Sequence, residues 1–162
     1  MRQAKDSLYE ALERLKPSDR FNIIDFDSGF EPLFDSAKMA NQSHMNEAKR
    51  FIRKIDAEGG TEMFKPIDFA LKSRDSDSSK FLRQIVFITD GQSGNEEAIF
   101  NNVSYNIRKD RFFTIGIGSA PNSYLLTKLA DFGRGAFTYI GCLSYTSPSP
   151  RDATLSRMPS SA

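Results

Sequence analysis

Apolar residues recur along this chain with two periods, and each change of period marks an element. Ala4, Leu8, Ala11, Leu12 and Leu15 fall on one face of a helix predicted over Arg2 to Leu15, which Lys16-Pro17-Ser18-Asp19 stops. Phe21 to Phe26 is short, β-branched and aromatic, and so predicts a strand. Asp27-Ser28-Gly29 is a turn, and Phe30 to Phe34 a second strand that Pro32 confines to a sheet edge. Helical spacing returns at Ala48, Phe51, Ile52 and Ile55, predicting a helix over Glu47 to Ile55. After the loop Gly59-Gly60-Thr61 a further helix runs to about Leu71, with Pro66 in its first turn.

The second half alternates more regularly. Ser73 to Lys80 is a polar linker, and the run Gln84 to Thr89 predicts a buried parallel strand that stops at Asp90-Gly91. A helix follows over Asn95 to Ile107, then a strand over Arg111 to Ile117 closed by Gly118. Ser123 to Phe132 is a helix ended by Gly133 in the C′ position, and Ala136 to Ile140 a last strand. Strands alternating with helices predict an α/β fold: a doubly wound, mostly parallel sheet flanked by helices.

Composition narrows the function. At 162 residues the chain fits one domain, and 22 basic against 21 acidic residues leave no basic field for nucleic acid. No apolar run approaches a membrane span, so no membrane insertion is expected within these residues. A single cysteine, Cys142, excludes an internal disulfide and a cysteine-based zinc site. The single histidine, His44, lies in a polar segment and reads as a surface residue, which disfavours a histidine-based hydrolase.

Both ends depart from the pattern between them. From Cys142 to Ala162 the chain is rich in Ser and Pro without apolar period, and it resembles translated sequencing-library adapter. Residues 142–162 are therefore expected to be a disordered tail foreign to the fold, and 1–141 a partial domain. At the other end Met1 opens directly into a helix with no capping residue before it, where a doubly wound sheet would begin with a strand.

Candidate chemistry sits in two loops. Glu58-Gly59-Gly60-Thr61-Glu62-Met63 presents a hydroxyl before a helix, and Thr89-Asp90-Gly91 presents a carboxylate at a strand end. Both are hard oxygen donors suited to a hard cation. Taken singly, Thr61 also suits a helix N-cap and Asp90 an acid opening a turn. Glu62, Glu96 and Glu97 read as first-turn helix acids.

Together the pieces Asp19-Arg20-Phe21-Asn22-Ile23-Ile24, Gly59-Gly60-Thr61-Glu62-Met63, Phe87-Ile88-Thr89-Asp90-Gly91, Gly116-Ile117-Gly118-Ser119-Ala120-Pro121-Asn122 and Phe132-Gly133-Arg134-Gly135 resemble the von Willebrand factor type A domain. More narrowly they resemble its version in bacterial proteins related to inter-α-trypsin inhibitor heavy chains, including sortase-anchored surface proteins. The resemblance implies metal-ion-dependent protein binding or adhesion, not catalysis, in a larger extracytoplasmic bacterial protein. It implies Thr61 as a direct hydroxyl ligand and Asp90 as an outer-shell acid of Mg²⁺, or of Mn²⁺ or Ca²⁺, with a carboxylate of a protein partner completing the site. The family's Asp-x-Ser-x-Ser pattern, which follows a central first strand, is absent here; Asp75-Ser76-Asp77-Ser78-Ser79 and Asp25-Phe26-Asp27-Ser28-Gly29 both fail its spacing. Without that strand its two neighbours would keep unpaired backbone groups, each costing about 1–3 kcal/mol, so a molten or insoluble fragment that binds Mg²⁺ negligibly is expected.

Two other readings compete. A haloacid-dehalogenase-type phosphatase would use Asp25 as nucleophile, Asp27 as acid and Thr89 as phosphate-binding hydroxyl, since Ile23-Ile24-Asp25-Phe26-Asp27 follows a strand. It would also need a paired acidic motif after a late strand, and Gly116 to Asn122 offers none. The other is a structural interaction domain that uses no metal.

Overall fold

The computed structural model describes residues 2–56, 60–73, 80–91, 94–118 and 121–141. Among these described residues the elements follow in the order α1 (Arg2–Glu13), β1 (Arg20–Phe21), β2 (Ile24–Phe26), β3 (Phe30–Pro32), β4 (Lys38–Met39), α2 (Gln42–Lys54), α3 (Phe64–Lys72), β5 (Gln84–Thr89), α4 (Glu96–Asn106), β6 (Arg111–Ile117), α5 (Ser123–Phe132) and β7 (Phe137–Ile140). β5, β6 and β7 form a parallel sheet in that spatial order, in register from Gln84↔Arg111 through Thr89↔Gly116 and from Thr114↔Phe137 through Ile117↔Ile140. β2 and β3 form an antiparallel hairpin, and β1 pairs antiparallel with β4. The α/β class and the parallel sheet are as the alternation predicts.

One face of the parallel sheet carries the main core. Met63, Ile67, Leu71, Phe87, Ile99, Val103, Phe112, Leu125, Leu126 and Leu129 are buried together, contributed by α3, α4, α5 and the strands beneath them. Thr114 is fully buried there, and its hydroxyl donates to the Leu126 carbonyl at 2.8 Å, which satisfies it without water. Burying a side chain such as Leu126 or Phe112 contributes about 1.5–3 kcal/mol. A second cluster, Leu12, Phe21, Ala40, Ala48, Ile52 and Ile55, joins α1 and α2 to β1 and the β3–β4 segment.

Several local expectations change. The strand expected over Phe21 to Phe26 is broken after Phe21 by Asn22, whose side chain replaces the ladder. Its Nδ2 donates to the Phe34 carbonyl at 2.7 Å, and its Oδ1 accepts from the Phe34 and Ile23 amides at 3.0 and 2.9 Å. β4 is two residues long and was invisible to periodicity. α2 starts five residues before Glu47, because Asn41 caps it by accepting from the His44 amide at 2.9 Å. His44 is only half exposed: its ring packs edge-on to Phe34, and Nδ1 lies 2.8 Å from the Met39 carbonyl. On α1 the inward face carries Tyr9 with Leu8 and Leu12, and Leu15 packs on the same cluster just beyond the helix, while Ala11 is exposed.

Gly133 follows α5 as expected, but at φ −77°; the left-handed residue is Arg134, at φ 52°. Glycine is needed at 133 for space, since a Cβ there would overlap Phe112. The strand expected to be buried, β5, is instead an edge among the described residues: Val86 is 54% exposed, and the one described strand that pairs with β5 is β6. Cys142, the tail 142–162 and Asp75 to Ser79 lie outside the described residues.

Candidate metal and protein-binding site

Three chain segments meet at the C-terminal end of the sheet. β5 ends at Thr89, whose hydroxyl accepts from the Gly91 amide at 3.1 Å and so fixes the turn through Asp90. The segment that precedes α3 reaches this turn because the Glu62 amide donates to the Asp27 carbonyl at 2.7 Å. Thr61 is thereby laid against Gly91, so closely that a Cβ on Gly91 would overlap the threonine hydroxyl. Only glycine admits this approach. Gly118, at the end of β6, comes alongside Asp90; the Cβ it lacks would stand 3.8 Å from the aspartate Cβ.

The structure therefore brings together the two residues that sequence pairs as candidate ligands. Thr61 is half buried and Asp90 exposed, which leaves the carboxylate open to water or a ligand. Thr61 is not an N-cap: α3 starts at Phe64 with Met63 at the cap position, and it is the Glu62 carboxylate that accepts from the Phe64 amide at 3.0 Å. Glu62 lies just before α3 instead of in its first turn, whereas Glu96 and Glu97 do occupy the first turn of α4. Among the described residues no three His, Cys, Asp or Glu side chains gather as a ready metal cluster. Among the described residues, Thr61 and Asp90 offer a hydroxyl and a carboxylate here, and such hard oxygens fit a small divalent cation that retains several waters.

The phosphatase residues are placed differently. Asp25 lines a cleft of about 270 Å³ between the β2–β3 hairpin and α2, with Glu31, Leu33, Glu47, Arg50, Phe51, Lys54 and Ile55; neither Asp27 nor Thr89 is in its lining. Burial raises the Asp25 carboxyl above its ordinary value, as do Asp27 and Glu31, while the Phe26 amide and Lys5 pull the other way. The Asp27 carboxylate accepts from the Gly29 amide at 2.8 Å and shapes the hairpin turn. The Thr89 hydroxyl is buried and serves Gly91. No arrangement of nucleophile, acid and phosphate hydroxyl results.

The family model of the von Willebrand factor type A domain matches residues 1–139. The chain belongs to that family. It is 33% identical over 139 residues to a von Willebrand factor A domain-containing protein of Dictyostelium discoideum, a match covering 85% of this chain and 15% of that protein. The type A chain thus spans a small part of the length of the curated relatives it matches. Its fold is that of the von Willebrand factor type A protein from Catenulispora acidiphila, with a TM-score of 0.74 at 19% identity over 85% of this chain and 33% of that one. It is also that of proximal thread matrix protein 1 from the mussel byssus, whose structure has a zinc-occupied MIDAS motif (TM-score 0.64, 16% identity, 85% of this chain and 36% of that one).

Proposed function

We propose that this type A domain serves metal-ion-dependent protein binding in a larger protein, with Thr61 as a direct hydroxyl ligand and Asp90 acting through water. The observation that carries the reading is the seating of the Thr61 hydroxyl against Gly91, next to Asp90, at the end of β5. The zinc-occupied motif of the mussel relative supports a divalent ion for the fold. Bound there, the ion would supply a positive centre able to take a carboxylate of a protein ligand. Thr61 and Asp90 would orient it and hold its water. Mg²⁺ suits these oxygens best, with Mn²⁺ or Ca²⁺ as substitutes.

Residues 1–162 carry no Asp-x-Ser-x-Ser pattern to complete the ligand set, so by themselves they bind Mg²⁺ negligibly. Calorimetric titration of Mg²⁺ into this chain and into the parent protein tests both parts. Heat of binding in the parent that Thr61→Ala and Asp90→Ala abolish is the expected result; binding indifferent to both substitutions would sink the assignment. An extracytoplasmic place for the parent, and its kinship with bacterial inter-α-trypsin-inhibitor-heavy-chain-like surface proteins, are parts of the same proposal. Cell fractionation that finds the parent in the cytoplasm would remove them without touching the metal site. Catalysis is not part of this reading.

A further inference from the structure

We propose that the N-terminal end of the parallel sheet docks on an anionic lipid surface, where a row of arginine and lysine side chains meets the headgroups and Leu82 enters the boundary below them. The inference goes beyond the protein-binding reading and needs no metal. The six residues of β5 span about 20 Å, with Arg83 before them and Asp90 after, so the two surfaces lie at opposite ends of the sheet.

Backbone hydrogen bonds set the row. The Arg111 amide donates to the Arg83 carbonyl at 3.0 Å, and the Phe112 amide to the Gly133 carbonyl at 2.9 Å. Leu82–Arg83, Asp110–Arg111 and Gly133–Arg134 are therefore neighbours across the start of the sheet. Arg134, at φ 52°, turns its guanidinium onto the Arg108 carbonyl and onto the Asp110 carbonyl at 2.9 Å. This ties the segment after α4 to the turn after α5, and brings Arg108, Lys109, Arg111 and Arg134 to one rim.

The acid within this stretch is withdrawn from the surface. Asp110 is buried and accepts from the Arg83 Nε at 2.9 Å, so those two charges neutralise each other. Arg108, Lys109, Arg111 and Arg134 are exposed, and among the described residues none has a carboxylate partner. The Arg134 side chain is occupied by carbonyls, but those of Arg108, Lys109 and Arg111 make no hydrogen bond among the described residues. Asp131, exposed in the last turn of α5, offsets one of the four charges. Like charges held this close repel, and an anionic partner relieves that repulsion.

Apolar surface adjoins the cations. Leu82 is 57% exposed and Phe81 44%, one and two residues before Arg83. A lipid surface answers both parts, since its phosphates take the cations and its interface takes an apolar side chain. A nucleic acid would take the cations and look for an open ring on which to stack, whereas Arg20 lies over the Phe81 ring at 5.0 Å. An acidic protein segment would satisfy the charges and leave Leu82 in water. Among the described residues no helix is long and apolar enough to cross a membrane, so the contact is peripheral.

The test is co-flotation of the full chain, in a metal chelator, with vesicles of equal parts phosphatidylglycerol and phosphatidylcholine. Binding is expected to these vesicles and not to phosphatidylcholine alone. Lys109→Gln combined with Arg111→Gln should weaken it about 25-fold, at about fivefold per charge. Leu82→Ser should weaken it about tenfold with the charge unchanged. Arg53→Gln combined with Lys54→Gln removes the same charge from the last turn of α2 and should leave binding as it was. Equal losses with the two double variants would reduce the effect to net charge, and full binding by Leu82→Ser would remove the apolar contact. Either result overturns the proposal, as does binding to polyglutamate or duplex DNA as tight as to the vesicles, or no flotation with the anionic vesicles. Because chelator is present throughout, a failure here leaves Thr61 and Asp90 untouched, and a failed metal assignment leaves the vesicle result standing.

Discussion

The cluster around Phe112 and the cluster around Ile52 are similar in kind but hold their strands by different means. Around Phe112 the backbone does the work: three parallel strands in continuous register, with α3, α4 and α5 packed on one face. Around Ile52 the strands are two or three residues long, and side chains replace the ladder. Asn22 bridges to Phe34, the Tyr9 hydroxyl reaches the Lys49 carbonyl at 3.3 Å, and Asn41 caps α2. Continuous ladders spread their stability over many bonds, whereas a region pinned by single side chains can lose its order through one substitution.

The largest expected effect falls in the first region. Phe112→Ala should cost about 3–5 kcal/mol, because its ring is fully buried in the main core and its removal would leave a cavity there. Hydrogen exchange in β6 and α5 would read the loss, and a cost under 1 kcal/mol would mean that this core is loosely packed. Arg83 comes next. Its guanidinium pairs with the buried Asp110 and donates to the Ala70, Leu71 and Ser73 carbonyls at the end of α3. Arg83→Met leaves Asp110 without that cation and the helix end open, for a loss of about 3 kcal/mol, and Asp110→Asn on the same background should restore part of it.

The second region should respond to smaller changes, and locally. Asn22→Ala removes three hydrogen bonds and should cost about 1–3 kcal/mol, seen as faster exchange at Phe34 and Ile23 while β6 is unaffected. Faster exchange in both regions at once would show that the two clusters unfold as one unit. The smallest effect belongs to Asp25, which stands opposite Glu31 in the β2–β3 ladder. Like charges so placed are unfavourable, and Asp25→Asn should stabilise the hairpin by about 0.2–1 kcal/mol at neutral pH.

The pH sign follows from the raised carboxyl. Its folded-state pKa lies above the ordinary 3.8, so its contribution is fully present below that value and is lost as pH rises through the folded pKa. The advantage of Asp25→Asn should therefore vanish at low pH. Denaturation of both forms at several pH values would check it, and an advantage that grew toward low pH would contradict the burial argument.

Much of this was legible along the chain. The bounds of β5, β6 and α5 follow from apolar runs closed by Asp90, Gly118 and Gly133, because those elements bury a regular face and are cut by turn residues. Where the core is assembled from fragments, periodicity had too little length to speak. β4 has two residues, and the break at Asn22 is made by a partner twelve positions away. The Asn41 cap was readable in principle, since an asparagine preceding a polar helix start is a recognised signal.

The sequence by itself determined the α/β class and the alternation of elements, and it singled out Thr61 and Asp90 through their turn glycines and oxygen donors. Only tertiary structure decided that the Thr61 hydroxyl rests on Gly91, that Glu62 and not Thr61 serves the α3 start, and that β5 is an edge strand among the described residues. The reason is physical. Local composition sets which dihedral angles and faces a segment prefers, whereas the approach of one loop to another and the pairing of a strand edge depend on contacts between residues far apart in the chain.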